Sequence, residues 1–270
     1  MQTKLLSILT YHSIDTSGSV ISTEPGTFAD QMSCLVDGGF RGISLKEALD
    51  HRQQFGDWPS QSVVLTFDDG FANFYDNAHP VLERYRFSAT VFLVTGHMGG
   101  RNNWELPPQG LGTLPILSWH QAEELSKVGI ELGSHTRTHR DLRRCSSQEA
   151  KLEISGSRAD IEAHLGVKPE SMAYPYGGVN HLVQHLVTKD FRAACTTELR
   201  RTLSDPLNLL PRIDTYYLKS LRRMVSLLDG RLDPYLTVRR CGRLARRMFV
   251  SAAAMERPAV ELASPGIGTR

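Results

Sequence analysis

The sequence predicts an α/β protein built on a parallel sheet or barrel with helices outside. Three observations carry this. Continuous apolar runs such as "SVVLTF" (62–67) and "SATVFLVT" (88–95) suit strands buried on both faces. Stretches with helical periodicity and capping signals lie between them. The two kinds alternate along the chain, which is the pattern of parallel strands joined by crossover helices.

Each element has its own reason. Residues 5–11 read as the first strand, which delivers His12 at its end. Phe28, Met32 and Leu35 recur at helical spacing, and Gly38-Gly39 stops that helix. "SLKEALDHRQQF" and "NAHPVLERY" are further helices, the second with Pro80 near its start. Residues 96–116 are rich in Gly, Pro and Asn and read as a long functional loop. "SWHQAEELSKVG" is a helix capped by Ser118, and "IELGSH" is a strand ending in His135. Ser146 and Glu149 form a capping box. It opens a helix that buries Ala150, Ile154, Ile161 and Leu165 and ends at Gly166. "SMAYP" and "FRAACTT" are short strands around a helix at 181–188.

From about Ser220 the character changes to two helices, 220–230 and 233–250. The second sets Val238, Cys241, Ala245 and Met248 on one side, and Arg239, Arg240, Arg243, Arg246 and Arg247 over the rest. A peripheral helix with a solvated basic face is the expectation. Docking to an anionic membrane or a phosphate-bearing substrate is the less favoured alternative. The expected organisation is a catalytic domain at 1–219, basic helices at 220–250 packed on or beside it, and a disordered tail at 251–270.

Composition narrows the function. A chain of 270 residues with 40% hydrophobic and 22% charged residues suits one large domain. A net charge of +2 gives no global case for nucleic-acid binding. Cys34, Cys145, Cys195 and Cys241 are scattered without a CxxC pair, which reads as free thiols in a reducing compartment. The first fifteen residues lack a secretory apolar core and cleavage site, and no stretch approaches the roughly 20 apolar residues of a membrane span. The expected location is cytoplasmic.

The chemistry begins at "LTFDDG", where an apolar run ends in Asp68, Asp69 and Gly70. Active sites of parallel α/β folds sit at the C-terminal ends of strands. Adjacent strand residues point to opposite sides, so one acid can bind a cation while the other handles a proton. "GSHTRTH" places His135 and His139 four apart after another strand. Two imidazoles with one carboxylate form a metal set that leaves positions open for water and substrate, as a catalytic site requires.

"TFDDG", "SHTRTH" and "AYPYG", in this order, resemble the polysaccharide deacetylase family, carbohydrate esterases with a NodB homology domain. The resemblance spans about residues 5–213. It implies a distorted (β/α) barrel with fewer than eight regular strands, to which this chain adds C-terminal helices. It also implies hydrolysis of N-acetyl or sometimes O-acetyl groups on sugars with a divalent metal. Zinc is the expected ion, and cobalt, nickel or iron would also suit the set. Carried over by position, Asp69, His135 and His139 ligate the metal, and Asp68 is the base toward the attacking water. The backbone N–H of Tyr176 holds the oxyanion, with Pro175 shaping its turn.

Two departures stand out. The family carries an Arg shortly before the Pro-Tyr pair, where this chain has Met172-Ala173-Tyr174. Arg212, with Asp214 behind it, is the expected replacement. The family's late Leu-x-x-His is missing, since no His follows His185. In this the chain resembles a permuted branch of the family, the poly-N-acetylglucosamine deacetylases, which implies His12 as the general acid. In the long loop, Trp104 is a sugar-stacking candidate and His97 a substrate contact. The expected partner is an N-acetylated oligo- or polysaccharide. The alternatives are a hydrolase of non-sugar linear amides and a non-catalytic carbohydrate-binding protein.

Overall fold

The computed structural model describes residues 5–105 and 112–255, with side chains described as far as residue 245. One sheet holds eight strands: β1 (Ser7–Tyr11), β4 (Arg41–Ile43), β5 (Ser62–Phe67), β6 (Thr90–Leu93), β7 (Glu131–Ser134), β8 (Ser171–Ala173), β9 (Ala193–Cys195) and β10 (Ile213–Asp214). The two-residue strands β2 (Ser13–Ile14) and β3 (Ser22–Thr23) pair separately. The order across the sheet is β10-β1-β5-β6-β7-β8-β9, with β4 beside the first half of β5 and β6 beside its second half. Every pair in this sheet is parallel.

The gap between β9 and β10 is bridged by the chain ahead of β10. Leu210 N–H donates to the Ala194 carbonyl at 2.9 Å, and Thr196 N–H donates to the Leu210 carbonyl at 2.8 Å. The sheet thus curls into a distorted (β/α) barrel, the predicted class. Parallel pairing puts all the C-terminal strand ends on one rim, and the register fixes which residues meet there. Tyr11 pairs with Phe67, so His12 and Asp68 leave the sheet side by side. Leu93 pairs with Ser134, and Ser134 with Met172, so His135 and Ala173 follow on the same rim.

Helices α1 (Pro25–Asp37), α2 (Leu45–Phe55), α3 (His79–Tyr85), α4 (Trp119–Lys127), α5 (Ser147–Leu165) and α6 (His181–Asp190) fill the crossovers. The caps read from sequence are in place. Ser118 and Ser146 each complete a capping box, and Gly166 ends α5 in the left-handed region. A wide helical turn over Phe74–Ala78 precedes α3.

The C-terminal helices α7 (Leu221–Leu228) and α8 (Asp233–Met255) pack on the barrel. Met224, Leu227, Leu232 and Leu236 join the same apolar cluster as Leu9, Phe28 and Phe67. The packing face of α8 differs from the one its periodicity suggests. Val238, Cys241 and Ala245 are exposed, whereas Leu236 is buried and Arg240 and Arg243 are half-buried. Long arginine stems can cover apolar surface while their heads stay polar, so a charge pattern alone misassigns the inner face. Arg239 lies over the Tyr235 ring, 5.3 Å from its centroid. Arg240 and Arg243 are therefore partly turned onto the protein while Arg239 stays exposed, and the less favoured membrane docking is not borne out. The side chains of Arg246, Arg247 and Met248 lie outside the described ones. Helix α8 runs on to Met255, and 256–270, most of the expected tail, lie outside the described residues. Among the described residues no helix is long and apolar enough to cross a membrane.

Candidate active site

The rim gathers residues from distant stretches of the chain. His12, Asp68, Asp69, Trp104, His135, His139 and Tyr176, with Ile21, Tyr174 and Thr197, line a cavity of about 120 Å³. Asp69, His135 and His139 are all buried and bring ligand atoms within 4.8 Å of one another. The Asp69 Oδ1 lies 3.4 Å from His135 Nε2 and 3.2 Å from His139 Nε2.

The imidazoles are oriented from behind. His135 Nδ1 is 2.8 Å from the Ala173 carbonyl. A carbonyl only accepts, so Nδ1 carries the proton and Nε2 keeps its lone pair. His139 Nδ1 is 3.0 Å from the Tyr176 hydroxyl, which suits the same tautomer. Sequence reasoning assigned Tyr176 a backbone role; its side chain adds an orienting contact. The tyrosine sits in the turn Pro175–Gly177 with φ of 57°, and Pro175 is buried at the start of that turn.

The backbone of the site is bent. Asp69, Thr136 and His139 have φ of 72°, 68° and 58°, a region that non-glycine residues enter at a cost. What holds the histidine loop is Glu153 on α5. Its carboxylate accepts the backbone N–H groups of Arg137 at 2.9 Å and Thr138 at 2.8 Å, and the Thr138 hydroxyl at 2.6 Å. Nothing in the sequence flags Glu153, which reads as an ordinary mid-helix acid.

Asp68 faces a different partner. Arg212 Nη1 donates to Asp68 Oδ1 and Nη2 to Oδ2, both at 2.7 Å. Arg212 also donates from Nη1 to Thr66 Oγ1 at 3.1 Å and from Nε to the Thr196 carbonyl at 3.0 Å, and it is only 2% exposed. Asp214 makes no hydrogen bond to Arg212; its Oδ1 accepts the Tyr216 N–H instead. His12 Nε2 is 3.9 Å from Asp68 Oδ2.

These contacts set the protonation states. Burial pushes the Asp68 carboxyl up, but Arg212, followed by His135, more than offsets it and holds the group below the usual carboxylate range. Burial likewise raises Asp69, and His139 and His135 drive it well below that range. Burial opposes charge on His135, yet Asp69 and Asp68 keep it above the ordinary imidazole value. On His139 burial prevails and lowers it.

The donor set fits a divalent cation. Asp69 Oδ1 is buried and has no hydrogen-bond partner. A carboxylate oxygen left so, facing two imidazole lone pairs, is satisfied by a metal ion. Of the two loop candidates, Trp104 lines the cavity and His97 does not. Trp104 is buried, with its ring 4.7 Å from that of His139, so it shields a histidine of the cluster. His97 lies behind Trp104, edge-on at 5.3 Å, with Nδ1 3.1 Å from the Arg101 carbonyl, and does not line the cavity.

Known proteins are similar to this chain in sequence and fold. The polysaccharide deacetylase family pattern matches residues 56–192, which takes in Asp68, Asp69, His135, His139 and Tyr176. The chain is similar to the putative polysaccharide deacetylase YxkH of Bacillus subtilis, at 28% identity over 194 residues, covering 72% of this chain and 64% of the relative. It is 30% identical over 162 residues to the poly-beta-1,6-N-acetyl-D-glucosamine N-deacetylase of Staphylococcus epidermidis, covering 57% of this chain and 53% of that one. The chain thus spans between half and two thirds of the length of these curated relatives. Among solved structures it is similar to IcaB from Ammonifex degensii, with a TM-score of 0.67 and 25% identity over 84% of this chain and 97% of that one. It is also similar to the Streptococcus pyogenes deacetylase PplD in complex with acetate, with a TM-score of 0.69 and 25% identity over 79% of this chain and 93% of that one. A family pattern that spans half the chain and holds both acids and both histidines makes this chain a member of the polysaccharide deacetylase family.

Proposed function

We propose that this chain is a metal-dependent hydrolase that removes N-acetyl groups from an amino-sugar oligo- or polysaccharide. One observation carries the reading. A three-donor cluster with an orphaned carboxylate oxygen stands beside a second carboxylate that Arg212 keeps ionised. The Staphylococcus epidermidis relative is named for a poly-beta-1,6-N-acetyl-D-glucosamine substrate, which supports an N-acetylglucosamine polymer here.

Asp69, His135 and His139 would hold the cation, and zinc is the ion we assign to two imidazoles and a carboxylate. When bound, such an ion makes water a nucleophile near neutral pH and polarises the acetyl carbonyl. Asp68 takes the proton of the attacking water. Arg212 fixes both carboxylate oxygens, so the basic lone pairs point one way. The Tyr176 N–H stabilises charge on the acetyl oxygen. As the C–N bond breaks, His12 protonates the departing nitrogen, and acetate and a free amine leave.

The test is acetate release from β-1,6- and β-1,4-linked N-acetylglucosamine pentamers. Release with zinc, loss on chelation and recovery on zinc addition are expected. Stoichiometric zinc without acetate from any N-acetylated saccharide would overturn the reading.

Two variants probe the parts. His12→Gln is expected to lower kcat on the pentamers by about 10²-fold or more. Its hydrolysis of 4-nitrophenyl acetate should change little, because that leaving group needs no proton. Equal losses on both substrates would remove His12 as the acid. Glu153→Ala takes the acceptor from two backbone N–H groups of the histidine loop, and is expected to weaken zinc binding by about 10- to 100-fold. Competition with a chromogenic chelator measures this, and unchanged affinity would show that the loop holds without it.

A further inference from the structure

A second cavity, of about 340 Å³, lies beside the catalytic one. Thr197 lines both, and the turn that presents Tyr176 to the first presents Gly177 to the second. One side is the stretch 196–199 that follows β9; another is α8, which contributes Arg240, Arg243 and Leu244. The two arginines are three apart, on one helical face.

Their charges are under-used. Arg240 Nη1 reaches Glu198 Oε1 only at 3.4 Å, and Glu198 already accepts Arg200 Nε at 2.9 Å. Arg240 Nε is buried without a hydrogen-bond partner. Arg243 makes no hydrogen bond or ion pair among the described residues. Two guanidinium groups against one shared carboxylate leave the lining positive. None of the described lining residues is aromatic, so a flat neutral sugar finds no stacking platform there.

The geometry points to this cavity as a substrate subsite for a sugar unit that bears a carboxylate or phosphate, next to the unit being deacetylated. This rests on the deacetylase reading and deepens it by naming a substrate class. The catalytic cavity is small, and Thr197 borders both it and the larger one, so a neighbouring sugar unit of an oligosaccharide bound at Asp68 would lie beside the arginines. A buried guanidinium N–H without an acceptor is costly, and an anion relieves that cost. Guanidinium forks match carboxylate and phosphate oxygens in pairs.

The test is calorimetric binding to the zinc-loaded full chain. The probes are a neutral N-acetylglucosamine tetramer, an alternating N-acetylglucosamine–glucuronate tetrasaccharide, and an N-acetylglucosamine dimer 1-phosphate. At least one anionic probe is expected to bind roughly tenfold tighter than the neutral tetramer, in line with one charged hydrogen-bonded contact. Which one gains tells uronate from phosphate. Arg240→Gln/Arg243→Gln keeps bulk on α8 and is expected to abolish that preference while zinc content and the melting temperature stay unchanged. Arg243→Glu is expected to invert it. Equal binding of all three probes, or a preference that survives the glutamine pair in folded protein, would overturn the subsite. The two readings fail separately. Acetate release without a charge preference removes only the subsite, whereas an arginine-dependent preference without acetate release keeps the anion site and removes the deacetylase.

Discussion

Asp68→Asn is expected to cut acetate release by about 10²- to 10⁴-fold, the usual worth of a positioned base, while zinc still binds. An amide cannot accept the proton of the attacking water. The donor cluster that could hold the ion contains the other acid of the pair, since it is Asp69 Oδ1 that faces the two Nε2 atoms. The variant also leaves Arg212 charged, buried and without its carboxylate, which costs about 3–5 kcal/mol of stability. Turnover must therefore be compared well below the variant's melting temperature, with zinc content measured on the same sample. Full turnover would move the base elsewhere. Loss of zinc with an intact fold would mean that the two acids do not divide the work this way.

The gathering of these four residues was legible because they are local in sequence. Asp68 and Asp69 are adjacent, His135 and His139 are four apart, and each group ends an apolar strand that sequence patterning finds. The barrel was legible for the same reason, since β5 from Val63 to Phe67 and β6 throughout are continuously buried. What sequence reading missed is tertiary. β2 and β3 are two-residue strands, too short to leave a pattern. Glu153 is one acid among several on α5, and only the folded loop shows that it holds the Arg137 and Thr138 N–H groups. Trp104 reads from its Gly- and Pro-rich loop as a sugar-stacking candidate, and only the fold shows that it lines the cavity while packing on His139. On α8 the apolar residues suggest one inner face, and the arginine stems form another.

Arg212 falls between these cases. The sequence offers it as the expected replacement for the family's missing arginine, but 144 residues separate it from Asp68 and no spacing rule joins them. Its role separates from simple stabilisation in a double-mutant cycle. Arg212→Met is expected to cost about 3–5 kcal/mol, because the Asp68 carboxylate stays buried without its cation. Asp68→Leu is expected to cost a similar amount by stranding the guanidinium. Together the two should cost less than their sum by up to about 3 kcal/mol, since replacing both partners of a buried pair with apolar groups removes the uncompensated charge. Recovery stays incomplete, because Arg212 also donates to Thr66 Oγ1 and the Thr196 carbonyl. Activity should not recover at all in the double variant. Arg212→Met alone should keep a residue of turnover with a diagnostic pH profile. Arg212 is what offsets burial and holds Asp68 below the usual carboxylate range, so its loss lets the carboxyl rise. The base then protonates at higher pH, and the acidic limb of kcat/KM shifts upward. A limb that stays in place, with stability lost as expected, would make Arg212 a structural residue and leave the orientation of Asp68 to other contacts.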